Sequence, residues 1–459
     1  MPALYTLDAV LAATGGRAEG VTAESLDSIT IDSREIGPDA LFVAIKGDRF
    51  DGHDFVDQAL ANGALAALVS RGEGAGRIVV ADPLEGLRNL AVAARARSRA
   101  NIVGVTGSVG KTTTKEMIRA VLAAAAQTHA SIKSFNNHWG VPLMLARLPQ
   151  DAQFGVFEMG MNHAGEIAPL SRVVRPHIAV ITTIAPAHLE TLGSLEAIAG
   201  AKAEIFAGLE PGGTVVLNAD HDQIGLLREY AAAAGVENVV TYGFAPGSDW
   251  QIVKHDAMGD KSSAEIRHDG QNYQLLLKVP GRHMVANAVA ALAVGFIAGV
   301  DPSVALRALA GFGAQPGRGQ KLVFGNEDRP LVVIDESYNA NTASMVAALD
   351  VFANQTASGR KVLVLGDMLE LGAQGPQLHA SLAEAVNASC AERIYLVGPQ
   401  MAALADALGP GRITAHTQSA AEMAPIVVGT LAYGDAVMIK ASNGIGLADV
   451  VEHIRKRFA

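Results

Sequence analysis

The sequence predicts an α/β protein of three domains, built mainly from parallel sheets with crossover helices. Short apolar runs rich in Val, Ile and Leu alternate with alanine-rich stretches over most of the 459 residues, which is the pattern of strand–helix–strand units. This length exceeds what one hydrophobic core usually organises, so several domains are expected. Aromatic residues make up 5% of the chain and there are 48 glycines, a balance typical of aliphatic cores joined by glycine turns.

Two breaks in the pattern divide the chain into the three predicted domains. The first lies at Asp82-Pro83 and the second is the glycine-rich segment Gly311 to Gln320, because both combine helix-breaking residues with a change of pattern. The predicted boundaries are 1–82 for a small α/β domain, 83–313 for a central domain with a phosphate-binding parallel sheet, and 314–459 for a Rossmann-like α/β domain. The second break is also the predicted hinge.

The predicted strands are apolar runs of four to eight residues bounded by turn-forming or polar residues. The predicted helices carry alanine-rich apolar periodicity. The strands are expected at Ile29 to Asp32, Ala40 to Ile45, Ile102 to Val105, Gly155 to Phe157, Ile178 to Thr182, Val215 to Leu217, Leu331 to Ile334, Lys361 to Leu365, Arg393 to Val397 and Ala436 to Ile439. The helices between them are expected at Thr112 to Ala126, Leu195 to Leu209 and Met284 to Ile297.

Charge, hydropathy and cysteine content exclude several classes of protein. Lys and Arg total 36 against 46 Asp and Glu, a formal net charge of −10, and without a basic patch such a surface repels nucleic acid. The clearest apolar run, Ala288 to Val300, is too short to span a membrane, and the chain opens without the pattern of a secretory signal. Cys390 is the only cysteine, which fits a reducing compartment. We therefore expect a cytoplasmic protein without membrane insertion.

The sharpest motif is a glycine loop between an apolar strand and a helix, running from Ile102 to Thr114. Gly107 and Gly110 would let backbone N–H groups approach phosphate oxygens, and Lys111 adds a positive charge. The strict phosphate-loop pattern has a glycine where this chain has Val105. The competing interpretation is an ordinary strand-to-helix turn. The predicted phosphate-binding residues are Gly107, Ser108, Val109, Gly110, Lys111, Thr112 and Thr113.

Two polar residues at neighbouring strand ends extend this predicted site. Glu158 ends the strand after the loop, and His188 follows the next one. Since the carboxyl ends of parallel strands share one edge of a sheet, both should lie near the loop. With the Thr112 hydroxyl they would suit a magnesium–phosphate site. Taken singly, each could be a solvated strand-end residue.

Lys202 falls on the apolar face of its predicted helix, among Ile198, Ala199 and Ile205. A buried ammonium is costly, so this lysine should be paired, deprotonated or modified. The alternative is a lysine that snorkels at the helix edge.

Three further segments carry polar groups in unusual places. Asn287 sits in an apolar helix, where it could contact a base or close a buried hydrogen bond. Arg318, in the hinge, could reach phosphates or be solvated. The polar run from Asp335 to Asn341 follows a strand directly, which indicates ligand contact.

Together these residues resemble the Mur ligase superfamily, three-domain ATP-dependent enzymes that form amide bonds in bacterial cell-wall synthesis. The resemblance covers nearly the whole chain. It is carried by Asp32-Ser-Arg34, Leu41-Phe-Val-Ala44, Asp51-Gly-His-Asp-Phe55, TGSVGKTTTK, Asn136-Asn137, Gly140-Val-Pro142, EMGMN, IAPAHLE, Lys202, GRHMVAN, SYNAN, LGDMLELG and KASNGIG. Within the family, Glu158-Met-Gly-Met-Asn162 and Ser337-Tyr-Asn-Ala-Asn341 are similar to the members that add D-alanyl-D-alanine.

The resemblance implies a reaction and a set of roles. ATP would phosphorylate the terminal carboxylate of UDP-N-acetylmuramoyl-tripeptide, and the amine of D-alanyl-D-alanine would then attack the acyl phosphate to give the pentapeptide. The expected cofactors are ATP and two Mg²⁺, and the expected assembly is a monomer. The catalytic residues implied are Lys111, Glu158, His188, Lys202 and Arg318, with Thr112, Glu158, His188 and a carbamylated Lys202 serving the metals.

The same resemblance assigns the ligand contacts. Asn287 would contact adenine, and Arg318 with Asp335 and Glu336 would meet phosphate and ribose; the pair Asp335-Glu336 replaces the family's usual Asp-Asp, which leaves open which carboxylate reaches the ribose. The expected substrate contacts are Asp32, Ser33, Arg34, Asn136, Asn137, Tyr338, Asn339 and Asn341. Alternatives are another Mur-type ligase or a nucleotide-dependent regulatory switch.

Overall fold

The computed structural model describes residues 3–37, 39–47, 50–132 and 134–459. Within these residues the strands form sheets of two, five, nine and six strands. Helices cover both faces of the two largest sheets, which confirms the predicted α/β class. The described residues contain no helix with the length and apolar character needed to cross a bilayer.

The first unit is a small sheet with two short helices. Its five-stranded sheet has the order β2-β7-β6-β5-β4, in which β4 to β7 run parallel and β2 is antiparallel to β7. A separate two-stranded ribbon pairs β1 with β3. The elements are β1 (Tyr5–Thr6), α1 (Leu7–Thr14), β2 (Arg17–Glu19), β3 (Ser25–Leu26), β4 (Ser28–Thr30), β5 (Ala40–Val43), α2 (Val56–Ala61), β6 (Ala66–Val69) and β7 (Arg77–Val79).

The helix α3 (Pro83–Arg97) joins the first unit to the second. Asp82 caps its start, accepting the Leu84 N–H at 2.7 Å, and Pro83 stands at its first position, where a proline costs the helix nothing. One apolar core runs from Tyr5 and Leu26 of the first unit through α3 into the second unit. The Tyr5 hydroxyl also donates to the Ala146 carbonyl at 2.8 Å. The two units are therefore fixed together by a shared core.

The second unit contains a nine-stranded sheet of order β16-β15-β14-β13-β12-β11-β8-β10-β9. Its strands are β8 (Asn101–Thr106), β9 (Thr128–Ala130), β10 (Phe154–Glu158), β11 (Ile178–Ile181), β12 (Thr214–Asn218), β13 (Asn238–Gly243), β14 (Trp250–Met258), β15 (Lys261–His268) and β16 (Gln271–Leu277). Its further helices are α4 (Lys111–Ala123), α5 (Gly140–Ala146), α6 (Ile167–Val174), α7 (Leu189–Leu192), α8 (Leu195–Ala203), α9 (Ile224–Ala233), α10 (Arg282–Ile297) and α11 (Pro302–Ala310).

The register of this sheet brings the carboxyl ends of three neighbouring strands together at one edge. Strand β8 lies between β10 and β11, with Val105 opposite both Glu158 and Val180, so the carboxyl ends of all three strands lie side by side. Only β14, β15 and β16 pair antiparallel, as a meander. The predicted helix from Leu195 to Leu209 is α-helical as far as Ala203 and then tightens into a 3₁₀ turn, Glu204–Gly208.

The third unit contains a six-stranded sheet of order β17-β18-β22-β19-β20-β21, parallel except for β17. Its strands are β17 (Gln320–Phe324), β18 (Leu331–Glu336), β19 (Lys361–Gly366), β20 (Arg393–Val397), β21 (Ala415–Thr417) and β22 (Ala436–Lys440). Its helices are α12 (Thr342–Ala353), α13 (Gly375–Ala380), α14 (Ala383–Ala388), α15 (Ala402–Leu408), α16 (Ala420–Thr430) and α17 (Ala448–Phe458). Separate apolar clusters pack on the two faces of this sheet.

Candidate active site

The glycine loop lies between β8 and α4 and has the geometry that its sequence requires. Gly107 (φ +141°) and Gly110 (φ +84°) both have left-handed backbone conformations. A side chain on Gly107 would collide with the Thr182 hydroxyl, and a Cβ on Gly110 would lie 2.9 Å from Oδ1 of Asn287. The backbone of the loop is thus held directly against β11 and α10, and no residue but glycine fits at either position.

Lys111 opens α4 and folds back over the loop. Its Nζ donates to the Gly107 carbonyl at 2.7 Å. Burial lowers the pKa of the Lys111 ammonium, although the carboxylate of Glu158 opposes the shift. The ammonium therefore already lies over the loop, where a phosphate would meet it.

Glu158 ends β10 and is almost completely buried beside the loop, with 1% of its surface exposed. Its Oε2 accepts the Thr112 hydroxyl at 2.8 Å, and its Oε1 accepts Nδ2 of Asn136 at 2.8 Å. A carboxylate next to a hydroxyl is the oxygen donor set that Mg²⁺ prefers, with phosphates and waters completing the octahedron. The described residues contain no group of three or more His, Cys, Asp or Glu side chains that could hold a metal ion.

Lys202 is fully buried in α8, on the face that the apolar spacing predicts. Its Nζ has no hydrogen-bond partner among the described residues. Burial, and then the nearby Lys111, lower its pKa well below the ordinary lysine value. An unpartnered amine that favours the neutral state is a nucleophile.

His188 lies after β11 in a left-handed conformation, with φ of +59°. Its Nδ1 lies 2.5 Å from Oε2 of Glu370, which belongs to the third unit. This pair holds the pKa of the Glu370 carboxyl below its ordinary value. The third unit therefore reaches the second at the predicted site.

The third unit supplies the opposite wall. The Arg318 guanidinium lies 4.2 Å from the ring centre of Tyr338, within cation–π range. Asn341 caps α12, accepting the Ser344 N–H at 2.9 Å. Lys440 Nζ donates to Glu336 at 3.1 Å and to the Asn339 carbonyl at 2.9 Å.

The neighbouring carboxylates Asp335 and Glu336 have different environments. Asp335 is buried and accepts the Gly317 N–H at 3.0 Å and the Ser337 hydroxyl at 2.6 Å, so it ties Gly317 to the end of β18. Glu336 instead lines the cleft between the units. Of the two, Glu336 is the carboxylate that a bound nucleotide could reach.

The cleft between the second and third units has a volume of about 680 Å³. Most of the predicted site residues line it. They are Ser108, Val109, Gly110, Lys111, Thr112, Thr113, Asn136, Asn137, Glu158, His188, Asn287, Arg318, Glu336, Tyr338, Asn339 and Asn341. Gly107, Lys202 and Asp335 are not part of the lining, and Lys202 and Asp335 are buried residues.

The residues predicted to hold the uridine nucleotide lie elsewhere. Asp32, Ser33 and Arg34 follow β4 in the first unit, where the Arg34 guanidinium donates to both oxygens of Asp32 at 2.8 and 2.7 Å. Asn62 donates to the Ser33 carbonyl at 2.9 Å. The structure does not bring these residues into the cleft.

Several cleft or support residues were not predicted individually, and four of them carry contacts described here. Thr182 packs on the loop, Glu204 caps α6, and Glu370 and Lys440 approach from the third unit. Glu370 and Lys440 lie in the segments LGDMLELG and KASNGIG, so their position at the ends of third-unit strands was the available signal.

Comparison with known proteins identifies the family. Family models match three stretches: the Mur ligase family catalytic domain at 25–120, the Mur ligase middle domain at 105–295 and the Mur ligase glutamate ligase domain at 317–443. A UDP-N-acetylmuramoyl-tripeptide–D-alanyl-D-alanine ligase of Escherichia coli (strain K12) is 35% identical over 437 residues, which cover 94% of each protein. The chain belongs to the Mur ligase family.

Solved structures extend this similarity to the fold of the Mur ligase. A crystal structure of MurF from Acinetobacter baumannii superposes with a TM-score of 0.85 at 30% identity, covering 98% of this chain and 99% of that one. The MurF ligase from Thermotoga maritima in complex with ADP gives 0.77 at 27% identity, covering 94% and 97%. The predicted three-domain architecture is confirmed, as is the class of ATP-dependent, ADP-forming ligase.

Proposed function

We propose that this Mur ligase joins D-alanyl-D-alanine to UDP-N-acetylmuramoyl-tripeptide, with conversion of ATP to ADP and phosphate. The product is the UDP-linked pentapeptide used in peptidoglycan synthesis. The observation that carries the proposal is the cleft itself, with the phosphate loop and Lys111 on one wall and Arg318 on the other. The similarity to the UDP-N-acetylmuramoyl-tripeptide–D-alanyl-D-alanine ligase of Escherichia coli over 94% of the chain supports the choice of substrates.

In this proposal the loop from Gly107 to Thr113 binds the ATP phosphates, with Lys111 at the β- and γ-phosphates. Thr112 and Glu158 hold one Mg²⁺, and His188 completes the metal site. Bound there, the ion would withdraw electron density from the phosphate oxygens. Asn287 contacts adenine in this proposal, and its place in the cleft beside Gly110 of the phosphate loop supports a contact with the nucleotide.

Lys202 is proposed to be carbamylated. The neutral amine attacks CO₂, a N–C bond forms, and the proton is released to solvent, which leaves a carboxylate on the side chain. The lowered pKa of Lys202 and its unpartnered Nζ support this step. The new carboxylate would serve a second Mg²⁺ beside Glu158.

The chemistry proceeds in two steps. A carboxylate oxygen of the tripeptide attacks the γ-phosphorus, and the bond from that phosphorus to the bridging oxygen breaks, which releases ADP and leaves an acyl phosphate. The amine of D-alanyl-D-alanine then attacks the carbonyl carbon, and the tetrahedral intermediate expels phosphate as the amine loses a proton. Lys111 and Arg318 offset the charge that develops on the phosphoryl oxygens.

The third unit closes this site in the proposal. An acyl phosphate is destroyed by water, so the cleft must be shut while it exists. We assign the hinge to Gly311 to Gln320, with domains at 1–82, 83–313 and 314–459. Arg318, Asp335 and Glu336 would then serve phosphate and ribose, and among them the exposure of Glu336 to the cleft favours that residue for the ribose.

The remaining substrate contacts follow the same scheme. Asp32, Ser33 and Arg34 hold the uridine nucleotide in the first domain, and Asn136 and Asn137 line the muramoyl path. Tyr338, Asn339 and Asn341 contact the peptide substrates from the third domain. We propose that the enzyme is a cytoplasmic monomer.

Phosphate release from ATP tests the function directly. The enzyme is incubated with Mg²⁺, ATP and UDP-N-acetylmuramoyl-tripeptide, with and without D-alanyl-D-alanine. The released phosphate is measured, and the product is identified by its mass in mass spectrometry. Phosphate release coupled to a pentapeptide is expected. ATP turnover without either peptide would replace the proposal with a regulatory NTPase, and turnover stimulated by single amino acids would replace it with another Mur-type ligase.

A further inference from the structure

The contact between His188 and Glu370 joins two backbone segments in rare conformations. His188 has φ of +59° and Glu370 has φ of +64°, both in the left-handed region that non-glycine residues rarely adopt. Such conformations persist only where the surroundings hold them, and they concentrate at functional sites. Here the two segments meet each other across the boundary between the second and third units.

The segment that carries Glu370 is fixed by the third unit. The Met368 N–H donates to Nε2 of buried His379 at 2.9 Å, and the Leu369 N–H donates to the Ser442 hydroxyl at 2.9 Å. The Asp367 carboxylate accepts the Met401 N–H at 2.9 Å. Glu370 is therefore presented by a rigid turn, and its position follows that of the whole third unit.

The segment that receives it is fixed by the second unit. The Thr191 hydroxyl donates to the Asn162 carbonyl at 2.6 Å, which ties the turn after His188 to the loop that follows Glu158. The Glu190 N–H lies 3.4 Å from the Glu370 carbonyl, so the backbones as well as the side chains meet. The two turns form one small interface at the rim of the cleft.

We infer that Glu370 is a positioning residue for His188, one that the third unit supplies only while it is docked. A histidine at a metal–phosphate site commonly holds its ring in place by donating its second N–H to a carboxylate. Nδ1 of His188 donates to Glu370 Oε2, which fixes the ring plane and leaves Nε2 for the site. Docking thus completes the histidine–carboxylate pair, and the site is fully ordered only when closed. This inference rests on the proposed ligase function.

Kinetics test the coupling. Glu370→Ala should lower kcat for pentapeptide formation about tenfold or more, with little change in the KM for ATP, because the nucleotide still binds the loop. The variant should form more than one ADP per pentapeptide, since an incompletely closed site hydrolyses the acyl phosphate. Glu370→Gln, which keeps a hydrogen-bonding oxygen, should fall between Ala and wild type. Glu190→Gln is the matched control, because Glu190 is an exposed residue whose backbone N–H meets the Glu370 carbonyl, a contact that the substitution leaves in place. It should behave as wild type.

A distance measurement separates this inference from the proposed function. Cys390 is exposed in the third unit, so a spin label there and a second at Glu229→Cys on α9 report the separation of the two units. With Mg²⁺ and a non-hydrolysable ATP analogue, the protein with native Glu370 should show a closed population that Glu370→Ala reduces. An unchanged closed population would overturn the inference, whether or not the enzyme makes a pentapeptide. Failure of the protein with native Glu370 to ligate would overturn the proposed function alone.

A double-mutant cycle tests whether Glu370 acts through His188. A general loss of stability would not give the same result. If Glu370 acts through His188, His188→Asn combined with Glu370→Ala should lower kcat no further than His188→Asn alone. If the fold-decreases in kcat of the two single variants multiply in the double variant, the two residues have independent roles and the inference is overturned.

Discussion

The hydroxyl of Thr182 occupies the space that a side chain on Gly107 would need. It also donates to the Val109 carbonyl at 2.5 Å, so the end of β11 supports the phosphate loop from below. The shape of the loop is therefore set by a strand that lies next to it in the sheet but more than seventy residues away along the chain.

Gly107→Ala should abolish detectable ATP binding and lower the free energy of unfolding by about 2 kcal/mol or more, because the new Cβ meets Thr182 and the φ of +141° is strained for alanine. Calorimetric titration with ATP and urea unfolding measure the two effects. Gly235→Ala is the control, since it also has positive φ but open space around the Cβ. It should cost about 1 kcal/mol and leave ATP binding intact. Normal ATP affinity in Gly107→Ala would contradict the loop assignment.

Lys202→Met should abolish ligation, because it removes the amine that would be carbamylated. It should not lower the free energy of unfolding, because it replaces a buried amine that has no partner among the described residues by an apolar side chain of similar volume. Ligation assays and thermal unfolding measure the two effects. Removal of CO₂ should reduce wild-type activity, and bicarbonate should restore it. An active Lys202→Met variant would refute the carbamylation, and Lys202→Ala rescued by small carboxylates would support it.

Glu336→Gln and Asp335→Asn should separate nucleotide binding from hinge stability. Glu336→Gln should raise the KM for ATP about tenfold, the loss expected for one charge-assisted hydrogen bond to the ribose. Asp335→Asn should leave that KM near its normal value but lower the free energy of unfolding by about 1–3 kcal/mol, since it disturbs the bonds to Gly317 and Ser337. The reverse pattern would place Asp335 at the ribose.

Glu204 should help to hold the helix segment that carries Lys202, although Glu204 itself lies outside the cleft. Its carboxylate accepts the N–H groups of Gly165 at 2.5 Å, Ile167 at 3.0 Å and Ala168 at 3.1 Å, and so caps α6 from a distant segment. Glu204→Gln should lower the free energy of unfolding by about 1–2 kcal/mol and reduce kcat, because Lys202 is two residues away. Urea unfolding and ligation assays test this. Exposed Glu237→Gln is the control and should change neither.

Stability should fall in acid partly through His129. Burial lowers the pKa of His129 to about 4, below the ordinary value near 6.5, so between these two values the unfolded chain takes up a proton that the folded protein excludes. The contribution of His129 to stability is therefore complete above about pH 6.5 and decreases as the pH falls towards 4, by up to about 3 kcal/mol. Urea unfolding at pH 7.5 and pH 4.5 should show a smaller loss in His129→Gln, which keeps a donor for the Met144 carbonyl. An equal loss in both proteins would exclude His129.

The parallel strands could be predicted because strands buried on both faces are continuous apolar runs. Ile178–Ile181 and Ala436–Lys440 are examples, and every residue of both is buried. The meander from Trp250 to Leu277 was missed, because a strand such as β15 alternates polar and apolar positions and buries only one face. The turns at Gly259 and Gly270, both with positive φ, were the available signal.

The features of the site that depend on local sequence pattern could be predicted. The loop and the strand-end position of Glu158 follow from β8 and β10, and the burial of Lys202 follows from helical spacing. The partner of His188 does not, since Glu370 meets it only through the docking of separate units. The sequence also could not show which of Asp335 and Glu336 faces the cleft. Adjacent residues on a strand point to opposite sides, and only the structure shows which side each one takes.

The proposed hinge is short because the residues at both of its ends are fixed to the units on either side. Phe312 is buried in the core of the second unit, while the N–H groups of Gly317 and Gly319 are bonded to Asp335 in the third. Ala314 also packs against that core, so little of the proposed hinge is left to turn. In the proposed closure, the third unit would therefore rotate about a nearly fixed axis, with few degrees of freedom between its open and closed positions. If Arg318 serves the phosphates as proposed, this axis would set its effective concentration there, and lengthening the hinge with flexible residues would lower that concentration.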